Sequence, residues 1–500
     1  MYTCHKSAAL IFILELTYPE SPLERYLLHV EDFPTLLIAG LGGVYSTLPR
    51  LLPSLQSRRG SVTHTNDLDI FLALIAFLET IIRKCPSETL KSIVLQKFRI
   101  MFLDGLLAKS LIESSEFDGS AIALTVYTLR TLNFISEPRI TAQFAEALLE
   151  EKDKGPELLL TVKDILIHRL SSVSEVLVIA NLRLLQVLLT RHCHVVLPLL
   201  IGNSSSPNTL MSSPRFFPNK SVSNVDNNNI IDVEHHLCNV SRYFGLLPPL
   251  AGQTDTVLGY QNSFAAYQQD AEACVTLNSF RILNKSQTNT ELEDLKLNNV
   301  LTKSFSADSN IDILSPISEP ESVKLSLPLL SRICSACHDY TISKILDMWA
   351  AFFSHSMEVN LALSGVVAAF ASVPDPAIYM ALFSADIIFL SSNDHVSEIP
   401  EVELPRRSLY TILVSLMAEV ESKKSSMSKT SFDITFTKKK SYLVESGCGS
   451  GLVNRQASIG VIDLEDEFYK NVVVLEESIK ELVSILQAHM AVGGESLKYI

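Results

Sequence analysis

Few residues of this chain have the types and spacing to do chemistry, and they fall in three places. Cys334-Ser335-Ala336-Cys337-His338 has the Cys-x-x-Cys-His order that attaches a c-type haem. That attachment needs an exported chain, and the apolar stretch Ala8 to Leu14 is a poor export signal. It is short, has only Lys6 before it, and runs into Glu15 without a small-residue cleavage site. No second Cys-x-x-Cys stands at zinc spacing, so Cys334 and Cys337 read as chance or core cysteines. His192, Cys193 and His194, with His235, His236 and Cys238, are the other metal candidates. Residues two apart on a helix point to different faces, so His192 and His194 are not expected to converge. Gly40-Leu41-Gly42-Gly43 follows an apolar run as a dinucleotide loop would, but the place of the third glycine is taken by Tyr45, and no βαβ alternation surrounds it. Small residues that let helices approach closely explain it better. No G-x-S-x-G, Walker loop, HExxH or kinase set occurs, and the carboxylates mostly sit in linkers and at helix ends. The expectation is a protein that is not an enzyme, with no catalytic, cofactor-binding or metal-binding residue.

The elements that hold these residues read as helices. In Asn66–Lys84, Leu68, Phe71, Leu72, Ile75, Leu78 and Ile82 keep the i, i+3, i+4 spacing of a buried stripe. Further helices are predicted at about 88–112, 119–135, 138–151 and 156–171, and at 175–200, where Val178, Leu182, Leu185 and Leu189 form a stripe. Pro138 and Pro156 fit first turns. Connections of a few residues force antiparallel neighbours, which is how helical hairpins stack. Helices are predicted again over 327–389, 405–420 and 466–490. No residue signature recurs at a fixed period, so the expectation of an all-α solenoid, a HEAT/armadillo-like stack of hairpins with disordered loops, rests on helix succession and composition.

Composition agrees. The 500 residues carry 47% hydrophobic and only 19% charged residues, with 18 Gly and 21 Pro. Helices packed on both flanks expose little surface and so need few charges. A net charge of −14 excludes general binding to a nucleic-acid backbone, which needs a basic footprint. Eight scattered cysteines suit a reduced, cytosolic chain. No uninterrupted apolar run reaches the ~18 residues of a spanning helix. The nearest, Leu361 to Val373, stops at Pro374-Asp375-Pro376, so any membrane contact should be peripheral.

The expected organisation is a helical solenoid over 1–201, a linker over 202–232, a helical segment over 233–283 and a linker over 284–325. A helical segment over 326–420, a basic linker over 421–464 and a final helix over 465–500 follow. The linkers are too polar to offset ordering entropy. They contain Ser206-Pro207, Ser213-Pro214 and Ser315-Pro316, where proline-directed phosphorylation is a hypothesis, and Lys423, Lys424, Lys429 and Lys438 to Lys440, read as a solvated run or an anionic-membrane contact.

Several stretches together resemble one family. Ala39 to Arg50 is similar to a "GLS-x-LYS-x-LPR" segment, Asn181 to Leu189 to an "LRLFxxLL" helix, and Phe264 to Ala271 to a "YxxYLxDA" element. The closest matches are Phe352 to Gly365, followed by Pro374-Asp375-Pro376, and Val474 to Leu482. The family is the FTS- and Hook-interacting proteins, also called retinoic-acid-induced-16-like, and the last helix has a fungal style. The resemblance implies an α-solenoid that joins an FTS-type E2-like subunit and a Hook-type dynein adaptor. Through a Rab-family GTPase, that complex links early endosomes to dynein–dynactin for microtubule transport, which implies a cytoplasmic protein peripherally on early endosomes. Family members usually have further helices before the segment matching 7–17, so a truncated or mis-started chain is expected. The expected contact residues are Tyr45, Pro49 and Arg50 on one turn, the exposed face of Ser354 to Asn360 (Ser354, Glu358 and Asn360), and Lys480 and Glu481 on the final helix. The alternatives are a generic armadillo/HEAT-type binder unrelated to motors, and a metal hydrolase using the His/Cys residues of 192–238.

Overall fold

The computed structural model describes residues 12–30, 32–51, 62–150, 161–200, 233–247, 254–283, 327–384, 407–426, 432, 436–437 and 464–493. Among them every regular element is helical and no strand occurs. The chain divides into two compact units, Met1–Leu200 and Ile201–Ile500. Linkers 202–232 and 284–325 lie outside the described residues, as do the three Ser-Pro sites and Lys429 and Lys438 to Lys440.

The first unit runs α1 (Pro22–Arg25, extended by a π-helical turn Tyr26–Val30), α2 (Phe33–Thr47), α3 (Val62–Lys84) and α4 (Glu88–Lys97). A π-helical segment Phe98–Ala108 carries α4 into α5 (Lys109–Glu113). Then come α6 (Ser120–Phe134), α7 (Pro138–Leu149), α8 (Val162–His168, with a 3-10 turn Arg169–Ser171) and α9 (Glu175–Leu200). Helix α2 packs against α3, α4 and the π segment, while α6 and α7 both pack on α9. A chain of rings ties the first of these layers together. Tyr45 stands 5.6 Å from Phe71 and 5.4 Å from Phe102, Phe102 lies 5.4 Å from Phe98, and Phe98 lies 5.7 Å from Phe144.

The single helix expected over 88–112 is therefore interrupted in its winding. Phe98, Phe102, Leu103 and Leu107 are all buried along the π segment. A Cβ on Gly105 would meet the Ile100 carbonyl oxygen at 2.9 Å, so the wider turn depends on glycine there. Gly42 also has a packing role, since a Cβ on it would touch Leu106 Cδ2 at 3.4 Å; Gly40 and Gly43 have no such neighbour. Among the described residues, α9 is the one helix that by itself is long and apolar enough to cross a membrane, and most of that stretch is buried against its neighbours.

The second unit contains α10 (Val233–Phe244), α11 (Thr254–Leu283), α12 (Leu327–Cys337), α13 (Tyr340–Ala350), a 3-10 turn Phe352–Ser354, α14 (Met357–Ala371) and α15 (Pro376–Phe383). Helices α16 (Leu409–Ser426) and α17 (Leu464–Gly493) complete it. Helix α16 thus continues six residues into the stretch expected to be a linker. Helix α17, last of the described helices, is central in this unit: it packs against α10, α11, α14 and the 3-10 turn. The pair α13 and α16, and the pair α12 and α15, pack beside it.

In both units the helix ends are closed by side chains from other helices. Glu79 on α3 accepts hydrogen bonds from the Ser136 and Glu137 backbone N–H groups, both at 2.6 Å, where α7 begins. Glu467 on α17 accepts from the Met357 N–H at 2.7 Å, at the first residue of α14. Carboxylates at N-termini complement the helix dipole, and cations and donors do so at C-termini. Arg191 donates to the Asn133 and Ile135 carbonyls after α6, and Arg169 to the Leu111 and Ser114 carbonyls after α5. In the second unit Asn278 donates to the Ser372 carbonyl, and His489 Nε2 lies 2.6 Å from the Ala371 oxygen. Burial pushes the His489 pKa down to about 4, partly opposed by that carbonyl, so the ring is neutral and donates.

Candidate interaction surface

The turn after α2 divides its nominated residues between core and surface. Tyr45 is only 2% exposed and sits among Phe71 and Phe102, and burial pushes its hydroxyl well above the usual tyrosine range. It is a packing residue, which corrects its reading as a contact residue. Leu48 turns the chain out of the helix, and the Pro49 carbonyl accepts a hydrogen bond from Tyr127 Oη at 2.8 Å. That bond holds Pro49 half-buried and presents Arg50 and Leu51 to solvent.

The 352–365 segment divides in the same way. Ser354 and Glu358 are exposed. Asn360 is 0% exposed: its Nδ2 donates to the Phe352 carbonyl at 2.8 Å and to Asn471 Oδ1 at 3.0 Å, and Asn471 donates to the His355 carbonyl at 2.8 Å. Asn360 therefore fastens α14 to α17 and is not a contact residue. The Phe353 ring packs on Phe468, 4.7 Å away, and the Lys423 ammonium lies 3.9 Å from the centre of the Phe468 ring on its other helix neighbour.

On α17, Lys480 is 1% exposed and ion-paired with Glu476 at 3.0 Å and Glu477 at 2.8 Å. Burial pulls its pKa down, but the two carboxylates more than offset this, so the ammonium is held charged. Its reading as a surface residue is corrected too: a lysine without water is stable here because both carboxylates lie within reach on the same helix face. Glu477 also accepts from Tyr267 Oη of α11 at 3.2 Å. Glu481, one turn further on, is mostly buried, and desolvation together with Asp270 of α11 pushes its pKa up to about 7. The segments 264–271 and 474–482, more than two hundred residues apart in sequence, thus meet in one charged seam between α11 and α17.

The histidine and cysteine candidates lie in helices. His192 has non-helical dihedrals that kink α9, and the His192 and His194 rings come within 5.8 Å of one another. The regular-helix geometry that would have separated them does not hold at the kink. No group of three or more His, Cys, Asp or Glu side chains suited to a metal occurs among the described residues. Burial pushes the Cys337 thiol up to about 11 and Cys334 upward as well, and His338 Nδ1 lies 2.8 Å from the Cys334 carbonyl at the end of α12. Those groups close a helix end with protonated thiols beside it.

Residues that sequence reasoning missed sit in two loops of the first unit. Phe117, between α5 and α6, and Val173, before α9, are fully exposed, and Val176 is largely so. The available signal was an apolar residue set among Ser, Glu, Asp and Gly.

Comparison with known families matches two stretches of the chain. A retinoic acid induced 16-like family model matches residues 4–203, which is nearly the whole first unit, and a family of unknown function (DUF5917) matches residues 339–446. An FHIP family protein of Drosophila melanogaster is 28% identical over 200 residues, covering 39% of this chain and 18% of that relative. One from Drosophila willistoni is 27% identical over 191 residues, covering 37% of this chain and 17% of its own length. One from Nematostella vectensis is 24% identical over 284 residues, covering 56% of this chain and 30% of its own length. The chain thus spans less than a third of the length of these relatives. Residues 4–203 are thus similar to the retinoic acid induced 16-like family, and parts of the chain are similar to FHIP family proteins of both insects and a cnidarian.

Proposed function

We propose that this chain is a non-catalytic scaffold subunit that joins a Hook-type dynein adaptor and an FTS-type E2-like subunit. Through a Rab-family GTPase it links early endosomes to dynein–dynactin, and it works in the cytoplasm, peripherally on those membranes. The observation that carries this reading is the retinoic acid induced 16-like match over residues 4–203 in a unit built wholly of packed helices among its described residues. The use of the buried and half-buried polar side chains adds support. Glu79, Glu467, Arg169, Arg191, Asn278 and Asn360 are occupied in closing helix ends and fastening helices to each other. Such a framework offers stable outer faces, and partner recognition then falls to its turns and loops.

Affinity purification of the tagged full chain from its own cells is expected to recover Hook-type and FTS-type subunits. Their absence, with the bait shown to be folded by its helical circular dichroism and a cooperative melt, would sink the reading. Deletion of the gene is expected to leave early endosomes clustered and poorly motile.

A further inference from the structure

The loop between α5 and α6 is built to hold an apolar side chain in water. Ser115 N–H donates to Ser120 Oγ at 3.0 Å, Ser120 N–H to Asp118 Oδ1 at 2.8 Å, Phe117 N–H to Ser115 Oγ at 3.2 Å, and Ala121 N–H to the Ser115 carbonyl at 3.0 Å. Gly119 takes the left-handed φ of +76° that closes this loop. The Phe117 N–H is bonded within the loop, yet its side chain points wholly into solvent.

The loop before α9 is pinned in the same manner. Ser174 N–H donates to Ser172 Oγ at 3.1 Å, and the Leu177 and Val178 N–H groups both donate to the Ser174 carbonyl at 3.0 Å. It presents Val173 fully exposed and Val176 beside it. The two loops are bound to each other: Ser172 Oγ donates to Glu116 Oε2 at 2.6 Å, and Arg169 donates to the Ser114 carbonyl and hydroxyl at 3.0 and 2.8 Å. A third element joins them, because a Cβ at Gly119 would stand 3.4 Å from Cδ2 of Leu51, itself largely exposed on the turn after α2. Leu51, Phe117, Val173 and Val176 are thus four exposed apolar side chains on segments tied to one another at one edge of the first unit. Its surroundings are acidic. Segments 111–120 and 170–178 carry Glu113, Glu116, Asp118 and Glu175 against two cations, the buried Arg169 bonded between the loops and the exposed Arg50 at the far border.

We infer that this edge is a docking surface for a basic amphipathic segment of a partner protein, whose apolar side chains cover Phe117 and Val173 while its lysines or arginines meet the acidic rim. Exposed apolar side chains gathered on hydrogen-bonded loops mark an interaction site, and the charge around them selects the sign of what covers them. A preorganised patch spares the partner the cost of ordering it. The inference stands apart from the family assignment, because it concerns the chemistry of one edge and not the identity of the partners.

The test measures fluorescence anisotropy of a labelled lysine–leucine amphipathic peptide with the full chain, against a glutamate–leucine peptide of the same pattern. The lysine–leucine peptide is expected to bind, and the Phe117→Ser/Val173→Ser chain is expected to bind it about tenfold more weakly. Because both side chains lie in water, the variant should keep the wild-type melting temperature, and the Glu113→Gln/Glu175→Gln chain should give an independent loss. Equal binding by wild type and the Phe117→Ser/Val173→Ser chain would overturn the proposal. So would a fall in molecular mass in solution on those substitutions, which would make the patch a contact between two copies. Tighter binding after deletion of residues 52–61 would overturn it as well, by making that segment the patch's own cover.

Discussion

At the scale of single residues, the charged groups of this chain are informative where they are least exposed. Glu481 is mostly buried with a pKa near 7, raised by desolvation first and by Asp270 second. A raised carboxylate pKa means that the folded state holds its proton more tightly than the unfolded chain, whose glutamate titrates near 4.3. Stability from this group therefore falls as pH rises from about 4.3 through 7, and its full cost is present above 7. Glu481→Gln should consequently be more stable than wild type at pH 8, by about 1–3 kcal/mol, with the difference closing below pH 5. Urea unfolding at the two pH values checks this, and a gap independent of pH would contradict it. Glu477, Lys480, Glu476 and Tyr267 face the same seam and are mutually bonded, and Asp270 is the carboxylate that faces Glu481 there. Lys480 was partly legible in sequence, since a lysine three and four residues after two glutamates in an apolar helix is a pattern that a buried ion pair produces. Tyr45 was not. Neighbouring turn residues Tyr45 and Arg50 carry no local signal of which faces the core, because that depends on Phe71 and Phe102 arriving from other helices.

At the scale of elements, apolar periodicity located most helices to within a few residues, as for α9 over 175–200 and α6 over 120–134. It could not locate the π segment. Phe98, Phe102, Leu103 and Leu107 fall on one face whether the turn holds 3.6 residues or somewhat more, so the pattern reads as ordinary helix. Nor could periodicity reveal the capping between helices, which is a property of which elements become neighbours. That capping has a measurable weight. Glu79 receives two backbone N–H groups at the start of α7, one at the buried residue Glu137. Glu79→Ala would leave both without their acceptor and should destabilise the protein by about 1–3 kcal/mol, with Glu79→Gln retaining part of the loss-sensitive bond. Thermal unfolding of the full chain is the measurement, and a change under 0.5 kcal/mol, the size of an ordinary surface substitution, would show that the cap is not used.

At the scale of the whole molecule, the two units differ in how far apart in sequence their packed helices lie. In the first unit, helices pack on neighbours one to three places along the chain. Residues 1–200 expressed alone should therefore give a helical circular dichroism spectrum and a cooperative melt, whereas a spectrum of unfolded chain would refute the division at Leu200. Helical composition and short connections made that arrangement readable in advance. The place of α17 at the centre of the second unit was not readable, because an apolar helix at the end of a chain looks the same whether it caps a stack or fills it.

Helix α17 also sets a timetable for synthesis. Its largest partner, α11, is complete at Leu283, but α17 begins only at Leu464. At ~5–20 residues per second, α11 waits on the order of 10–40 s with its apolar side uncovered. The first unit can fold as it leaves the ribosome; the second cannot be finished until α17 has emerged. A stop codon anywhere upstream of Leu464 should then act as a severe allele even though most of the protein has been made, since every copy would carry a second unit without its centre.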